Sequence, residues 1–185
     1  GSASDQPFAT SPAELAPVLR EGVAGTEAAA RLRRADQNIV HDEQGVATRG
    51  LYADAAFFDV FGFDLVAGSA DEALGAPYTA VVTREMAQRL YGDADPVGQT
   101  FRLPSTGVFR VTGVVSRAAY RSHLDFDVLL SFATLQQTRP DDIAQDWRQA
   151  TSYYTYLRLA PGTTPSDLAP SLRQIETQYL STDTE

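Results

Sequence analysis

One of the two histidines stands among carboxylates at a spacing that could bind a metal ion. The stretch SHLDFD carries His123, Asp125 and Asp127, which share one face if the backbone is extended, because side chains alternate along a strand. Imidazole and carboxylate groups on one face are a donor set for a divalent metal. The same pattern places Leu124 and Phe126 on the opposite face, as in an ordinary half-buried strand, and we favour that interpretation.

The other histidine, His41, is followed directly by Asp42 and Glu43. Neighbouring residues on a hairpin point in opposite directions, so these three side chains do not converge on one ion. We therefore interpret this stretch as a solvated turn.

A serine hydrolase needs a nucleophile and a histidine that converge from separate parts of the fold. Ser122 directly precedes His123, and sequence neighbours rarely point at each other. The sequence also lacks the Gly-x-Ser-x-Gly turn that exposes the nucleophile of an α/β-hydrolase. We name no catalytic, cofactor-binding or metal-ligating residue from these patterns.

Two further motifs could bind ions. DADPVG (93–98) resembles the start of a calcium loop, but Val97 and Pro104 stand where the fifth and twelfth ligands belong, so we predict a turn. RLRR (31–34) could contact anions or lipid headgroups, and we favour a solvated strand edge that resists aggregation.

Phenylalanines cluster in FFDVFGF, where Asp54 is placed to cap a short helix. Phe57, Phe58 and Phe61 share one helical face, and Phe63 follows. The cluster could line a ligand pocket or touch a membrane, and we favour packing in the core.

The composition excludes several kinds of chemistry. All fifteen basic residues are arginine, so there is no lysine for a phosphate-binding loop or a Schiff base. The absence of cysteine excludes a thiol nucleophile, a thiolate metal site and a disulfide. A net charge of −9 disfavours nucleic acid as a partner, since phosphate binding needs a basic surface.

The sequence has enough apolar residues, 43%, for a folded core, but no apolar run long enough to span a bilayer. The opening Gly1-Ser2 has the form of a cloning scar. We therefore expect an excised soluble piece of a longer protein.

Hydrophobic periodicity and turn residues predict the elements that carry these side chains. We predict strands over 26–35, 78–83, 99–103, 108–117, 126–132 and 151–159, and a hairpin over 39–52. We predict helices over 11–22, within 54–68, over 84–91 with Thr83 as the cap, and from Thr164 onward. The polar residues 133–150, which include the single tryptophan, Trp147, are also predicted to be helical. In the helix from Thr164, Leu168, Leu172, Ile175 and Tyr179 form one apolar stripe.

The two outer helices begin with nearly the same phrase, SPAELAPVLR (11–20) and TPSDLAPSLR (164–173). Ser11 and Thr164 are each placed to cap, with an acidic residue three positions later. If the repeat is structural, the helices lie side by side. The alternative is that both phrases only share the residues that start a helix.

The middle of the chain resembles the periplasmic core domain of MacB/FtsX-like ABC transporter permeases. The resemblance rests on the serial order of FFDVFGF, TAVVTREMAQRLYGDADPVGQ, VTGVV, SHLDFDVLLSF and YYTYLRLAPGT, and covers roughly residues 10–180. It implies an α+β fold with two lobes. A porter-like α/β lobe comprises residues 1–44 and 121–185, and an inserted, mostly β lobe comprises residues 45–120.

The resemblance also implies a function. The chain would be a non-catalytic, extracytoplasmic domain of an inner-membrane permease, without a cofactor, that couples ATP hydrolysis on a separate cytoplasmic chain or domain to export or mechanotransmission. Its partners would be a second permease protomer, the ATPase through flanking transmembrane helices, and a periplasmic adaptor, lipoprotein or peptide. The alternatives are a stand-alone extracytoplasmic module that binds a peptide or small molecule and, third, a His-dependent metal enzyme or hydrolase.

Overall fold

A computed structural model describes residues 10–116, 123–143 and 152–180. The strands are β1 Thr26–Arg34, β2 Gln37–His41, β3 Gln44–Thr48, β4 Gly50–Ala53, β5 Leu65–Gly68, β6 Thr79–Thr83, β7 Thr100–Leu103, β8 Gly107–Val115, β9 Val128–Ser131 and β10 Tyr154–Leu159. The helices are α1 Leu15–Gly22, α2 Phe57–Phe61, α3 Arg84–Tyr91, α4 Phe132–Thr138, α5 Pro140–Ile143 and α6 Pro165–Leu180. Trp147 and Ser122 lie outside the described residues.

One sheet joins these strands in the order β10-β1-β4-β9-β6-β8-β7-β2-β3, and β5 pairs with β8. The β4–β9 and β6–β8 pairs are parallel, and the other neighbours are antiparallel. Helices combined with a mostly antiparallel sheet confirm the predicted α+β class.

Apolar side chains cover both faces of the sheet at its centre. In β9, Leu129 belongs to one buried cluster, whereas Val128 and Leu130 belong to another, because successive side chains point to opposite faces. The first face packs against α2, and the second packs against α3 and α4. Burial on both faces explains why TAVVT and VLLS are uninterrupted buried runs rather than alternating ones.

The local signals around α3 are confirmed. The Thr83 hydroxyl accepts a hydrogen bond from the Met86 backbone N at 3.2 Å. The helix ends at Gly92, which adopts a φ of 60° and donates to the Gln88 carbonyl. Residues 93–98 form turns, in which the Asp95 carboxylate accepts from the Val97 backbone N at 3.0 Å.

The phenylalanine cluster is core, as the sequence interpretation favoured. Phe57, Phe58 and Phe63 are buried, and Phe61 is half-buried beside them. The rings of Phe57 and Phe126 meet edge to face with centroids 5.9 Å apart. These aromatic contacts attach α2 to its face of the sheet.

The hairpin predicted over 39–52 forms between β2 and β3, but the residues from Gly50 onward belong to a separate strand, β4. Asp42 and Glu43 alone form the turn, with φ values of 46° and 63°, the left-handed conformation that a two-residue hairpin requires. After Arg49 the chain leaves β3 and enters β4, which pairs with β1 and β9 instead.

The first copy of the repeated phrase does not start its helix with a capping box, so that prediction is wrong. The Ser11 hydroxyl is 2.8 Å from the Thr155 hydroxyl, and the Ser11 backbone pairs with Tyr153. Helix α1 begins at Leu15, so Pro17 falls in the first turn, where backbone N–H groups have no helical partner.

The second copy forms one half of the predicted capping box, because the Asp167 Oδ2 accepts from the Thr164 backbone N at 2.8 Å. The Thr164 hydroxyl donates to the same Oδ2 at 2.8 Å instead of accepting from the helix backbone, and both hydrogen bonds lower the pKa of Asp167. In the predicted apolar stripe, Leu168 is buried, and Ile175 and Tyr179 are half-buried. Leu172 is 40% exposed, so the prediction that it packs with them is wrong.

The two helices nevertheless pack together, as the repeat predicted. Leu19 and Val23, at the end of α1, form a buried cluster with Leu168 of α6, against Leu157 and Leu159 of β10. The two phrases therefore belong to neighbouring helices, but α1 begins at the fifth residue of its phrase and α6 at the second.

The division into lobes stays a prediction. Strands from 1–44 and 121–185 join strands from 45–120 in one sheet, and β4 lies between β1 and β9. A boundary between lobes at these positions would therefore cross hydrogen-bonded ladders.

We predict that Gly50→Ala lowers the free energy of unfolding by about 1–3 kcal/mol, because the added Cβ overpacks the strand junction. That atom would lie 2.4 Å from the Ala35 carbonyl oxygen, which is backbone and cannot rotate away. Urea denaturation followed by circular dichroism measures the effect. The matched control is Gly45→Ala in β3, where a Cβ meets no described atom within 4 Å. Equal stability of the two variants would contradict the prediction.

Candidate functional site

Arg31 and Asp54 form an ion pair that is largely shielded from solvent. Arg31 lies within β1 and is 8% exposed, and Asp54 directly follows β4. The Nε–Oδ2 and Nη2–Oδ1 distances are both 2.8 Å, and the Arg31 backbone N donates to Oδ2 at 2.7 Å. This two-point geometry is the strong form of an arginine–carboxylate contact.

The Arg31 guanidinium also reaches two other parts of the chain. Its central carbon lies 4.0 Å from the centroid of the Phe132 ring at the start of α4. Its Nη1 donates to the Ala13 carbonyl, just before α1, at 3.4 Å. One side chain therefore links β1, the end of β4, the start of α4 and the segment that leads into α1.

Two predictions about these residues are wrong. RLRR is not a solvated edge at Arg31, because β1 lies between β10 and β4; in the same stretch only Arg34 is exposed. Asp54 does not cap α2 with its side chain, because Arg31 holds both carboxylate oxygens, and Ala56 precedes the helix instead.

The side chains of His123, Asp125 and Asp127 do not converge on one point. Arg49, which lies between β3 and β4, contacts both carboxylates: its Nη2 is 2.6 Å from Asp127 Oδ1, and its Nη1 pairs with Asp125. The hydrogen bond with Asp127 raises the pKa of Arg49. No group of three potential metal ligands occurs among the described residues.

His123 instead pairs with an aromatic residue of β10. Its Nε2 is 2.9 Å from the Tyr156 hydroxyl, and the two ring centroids are 5.6 Å apart. Together with Leu124 and Asp125 they line a cavity of about 130 Å³ on the α2 face of the sheet.

His41 sits at the turn predicted from the sequence but is not fully solvated. The Asp42 and Glu43 side chains are exposed, whereas the His41 side chain is 21% exposed and its Nδ1 is 3.1 Å from the Thr100 carbonyl. Its ring meets the Tyr91 ring edge to face at 4.7 Å. The Tyr91 hydroxyl is buried, no described group hydrogen-bonds with it, and burial raises the pKa of Tyr91 to about 12.

The elements nearest the two ends of the described chain meet on one side of the sheet. Between α1 and α6 lies a groove with a volume of about 370 Å³, lined by Val18, Val23 and Ile175 together with polar residues of α6. The turn before β1 contacts the turn after β10: the Gly25 carbonyl accepts from the Ala160 backbone N at 2.9 Å. A Cβ on Gly25 would lie 2.8 Å from Thr163 Cγ2, so the two turns are closely packed.

These features describe a mixed α/β domain whose polar side chains mostly hold its elements together. The family model for MacB-like periplasmic core domains matches residues 1–175. The chain therefore belongs to this family, the periplasmic domains of ABC transporter permeases. Within the described residues, every helix is too short or too polar to cross a bilayer.

Solved structures share the fold. A domain of a permease protein from Porphyromonas gingivalis is 26% identical, with a TM-score of 0.79 over 93% of this chain and 72% of its own. The periplasmic region of MacB from Actinobacillus actinomycetemcomitans is 14% identical, with a TM-score of 0.66 over 88% of this chain and 71% of its own.

The extracellular domain of the ABC-type transporter YknZ from Gram-positive bacteria is 15% identical, with a TM-score of 0.66 over 95% of this chain and 87% of its own. At such identities the MacB and YknZ structures show the fold alone. No curated protein matches this sequence.

Sequence reasoning missed the Arg31–Asp54 pair and the turn contact at Gly25. The alternation that places Arg31 and Arg33 opposite Leu32 was a usable signal, since that face of β1 carries the ion pair. Nothing local in the sequence indicates that Asp54 is its partner.

We predict that Tyr91→Phe raises the free energy of unfolding by about 1 kcal/mol at neutral pH, because it removes a buried hydroxyl without a partner. Burial raises the folded-state pKa of Tyr91 to about 12, above its ordinary value of 10.0, so the parent loses stability relative to the variant as the pH rises from 10 to 12. The advantage of the variant should therefore grow over that window.

Urea denaturation of both proteins from pH 7 to 12 measures this difference. The control is Tyr156→Phe, which loses the hydrogen bond to His123 and should be slightly destabilised. If Tyr91→Phe were less stable than the parent, the Tyr91 hydroxyl would have a hydrogen-bond partner, and the prediction would be wrong.

Proposed function

We propose that this chain is a non-catalytic, extracytoplasmic domain of an inner-membrane ABC transporter permease. It couples ATP hydrolysis on a separate cytoplasmic chain or domain to export or mechanotransmission. The observation that carries the proposal is the family match over residues 1–175. The Arg31, Arg49 and His123 contacts described above are structural ones and supply no catalytic set.

Contacts at the sheet's outer strands support a rigid-body role. The segment that leads into α1 is tied to β10 by the Ser11–Tyr153 pair, and the flanking turns are tied by the Gly25–Ala160 hydrogen bond. Displacement of α1 therefore moves α6 and β10 with it, and Arg31–Asp54 passes that displacement to β4. Rigid-body rotation of paired domains is an established way to transmit a distant ligand's energy.

The proposed partners follow from that role. A second permease protomer would present the facing domain, and the ATPase would act through transmembrane helices. A periplasmic adaptor, lipoprotein or peptide would contact the domain outside the membrane. We expect no nucleic-acid partner, because a net charge of −9 disfavours binding to phosphates.

We predict that ATP binding changes the distance between the two domains of the complete permease but not distances within one domain. The chain has no cysteine, so spin labels can be placed at chosen positions. Val108 on β8 and Leu172 on α6 are 55% and 40% exposed, so labels there leave the core intact.

Double electron–electron resonance would measure these distances in nucleotide-free and ATP-trapped protein. The Val108–Val108 distance across protomers should change, and the Val108–Leu172 distance within a protomer, measured in mixed dimers, should stay constant. An unchanged distance across protomers would overturn the proposal of coupling.

A further inference from the structure

The cavity beside His123 has the lining of a binding site for a small carboxylate. Three of its lining residues are apolar, namely Leu32, Leu51 and Leu124. Its other lining residues are Arg34, His123, Tyr154, Tyr156 and Asp125. Four of these five can donate a hydrogen bond, which favours an anion with a short apolar part.

Arg34 supplies the positive charge. It is exposed at the end of β1 and forms no ion pair with an acidic residue in the described part of the chain. Its positive charge also acts on the Tyr156 hydroxyl: burial raises the pKa of Tyr156, and the charge of Arg34 lowers it. Arg33, by contrast, lies 3.7 Å from Asp142 and is turned to the other face.

The acidic residue in the lining does not cancel this charge. Asp125 is paired with the Arg49 guanidinium, which also holds Asp127. The His123 tautomer that carries its proton on Nε2 donates to the Tyr156 oxygen, and the phenol proton is then available to a ligand.

We propose that this cavity binds a carboxylate with a short aliphatic chain, with the carboxylate at Arg34, Tyr154 and Tyr156 and the chain against Leu32 and Leu51. The volume of about 130 Å³ holds roughly four waters at ~30 Å³ each, which limits the occupant to a few heavy atoms. The carboxylate belongs either to a free short-chain acid or to a glutamate side chain of a peptide. This proposal does not depend on the transporter role.

The test is a titration of the isotope-labelled 185-residue chain with sodium butyrate, followed by amide shifts in ¹H–¹⁵N spectra at constant ionic strength. Saturable shifts centred on Leu51, His123 and Tyr156 are expected. Butyramide has the same shape without the charge and should bind at least about tenfold more weakly, since a charged hydrogen bond is worth about 1.5–3 kcal/mol.

Arg34→Gln should weaken butyrate binding by about tenfold or more. The matched control is Arg102→Gln on β7, another exposed arginine without an ion pair to a described acidic residue, and it should leave binding unchanged. Both variants change surface residues, and their spectra report whether the fold is intact.

A second titration, with a blocked tripeptide that has glutamate at its centre, distinguishes the two sources of the carboxylate. Tighter binding of the tripeptide than of butyrate assigns the site to peptides, and weaker binding assigns it to free acids. Equal binding of butyrate and butyramide, unaltered affinity in Arg34→Gln, or no saturable shift would each overturn the proposal.

Discussion

The ion pair between Arg31 and Asp54 is the contact on which the connection between the outer and central strands depends. The β1–β4 ladder pairs Leu32–Ala53, Arg33–Tyr52 and Arg34–Leu51. Asp54 continues it: its backbone N donates to the Arg31 carbonyl at 3.3 Å, and its carboxylate accepts from the Arg31 backbone N. A charge this shielded is costly unless it is paired. Loss of the carboxylate would leave the guanidinium unpaired against Phe132, at the junction of four segments.

Much of the fold was predictable from the sequence, because much of it is local. The Thr83 cap, the Gly92 stop, the turn at 93–98 and the Thr164–Asp167 contact at the start of α6 each depend on residues a few positions apart. Long-range partners decided what was not predictable. Asp54 fits the rules for a helix cap, and only the placement of β1 beside β4 shows that Arg31 takes its carboxylate instead.

The candidate site shows the same limit. Asp125 and Asp127 have the spacing of metal ligands, but Arg49, far away in the sequence, binds both of them, while His123 turns to Tyr156. Sequence reasoning located the stretch that lines the cavity but not its chemistry. The order of motifs along the whole chain indicated the family correctly, because it averages over many positions rather than resting on one contact.

A double-mutant cycle on Arg31→Met and Asp54→Asn, measured as free energies of unfolding in urea, tests most directly whether this ion pair holds the sheet together. Each single variant should lose about 3 kcal/mol, and the double variant should lose less than their sum, with a coupling of about 2 kcal/mol. Arg158→Met, which breaks an exposed pair with Glu27 and a hydrogen bond to the Asp59 carbonyl, should cost about 1 kcal/mol or less. Additive losses for Arg31 and Asp54, or losses as small as that of Arg158→Met, would contradict the account.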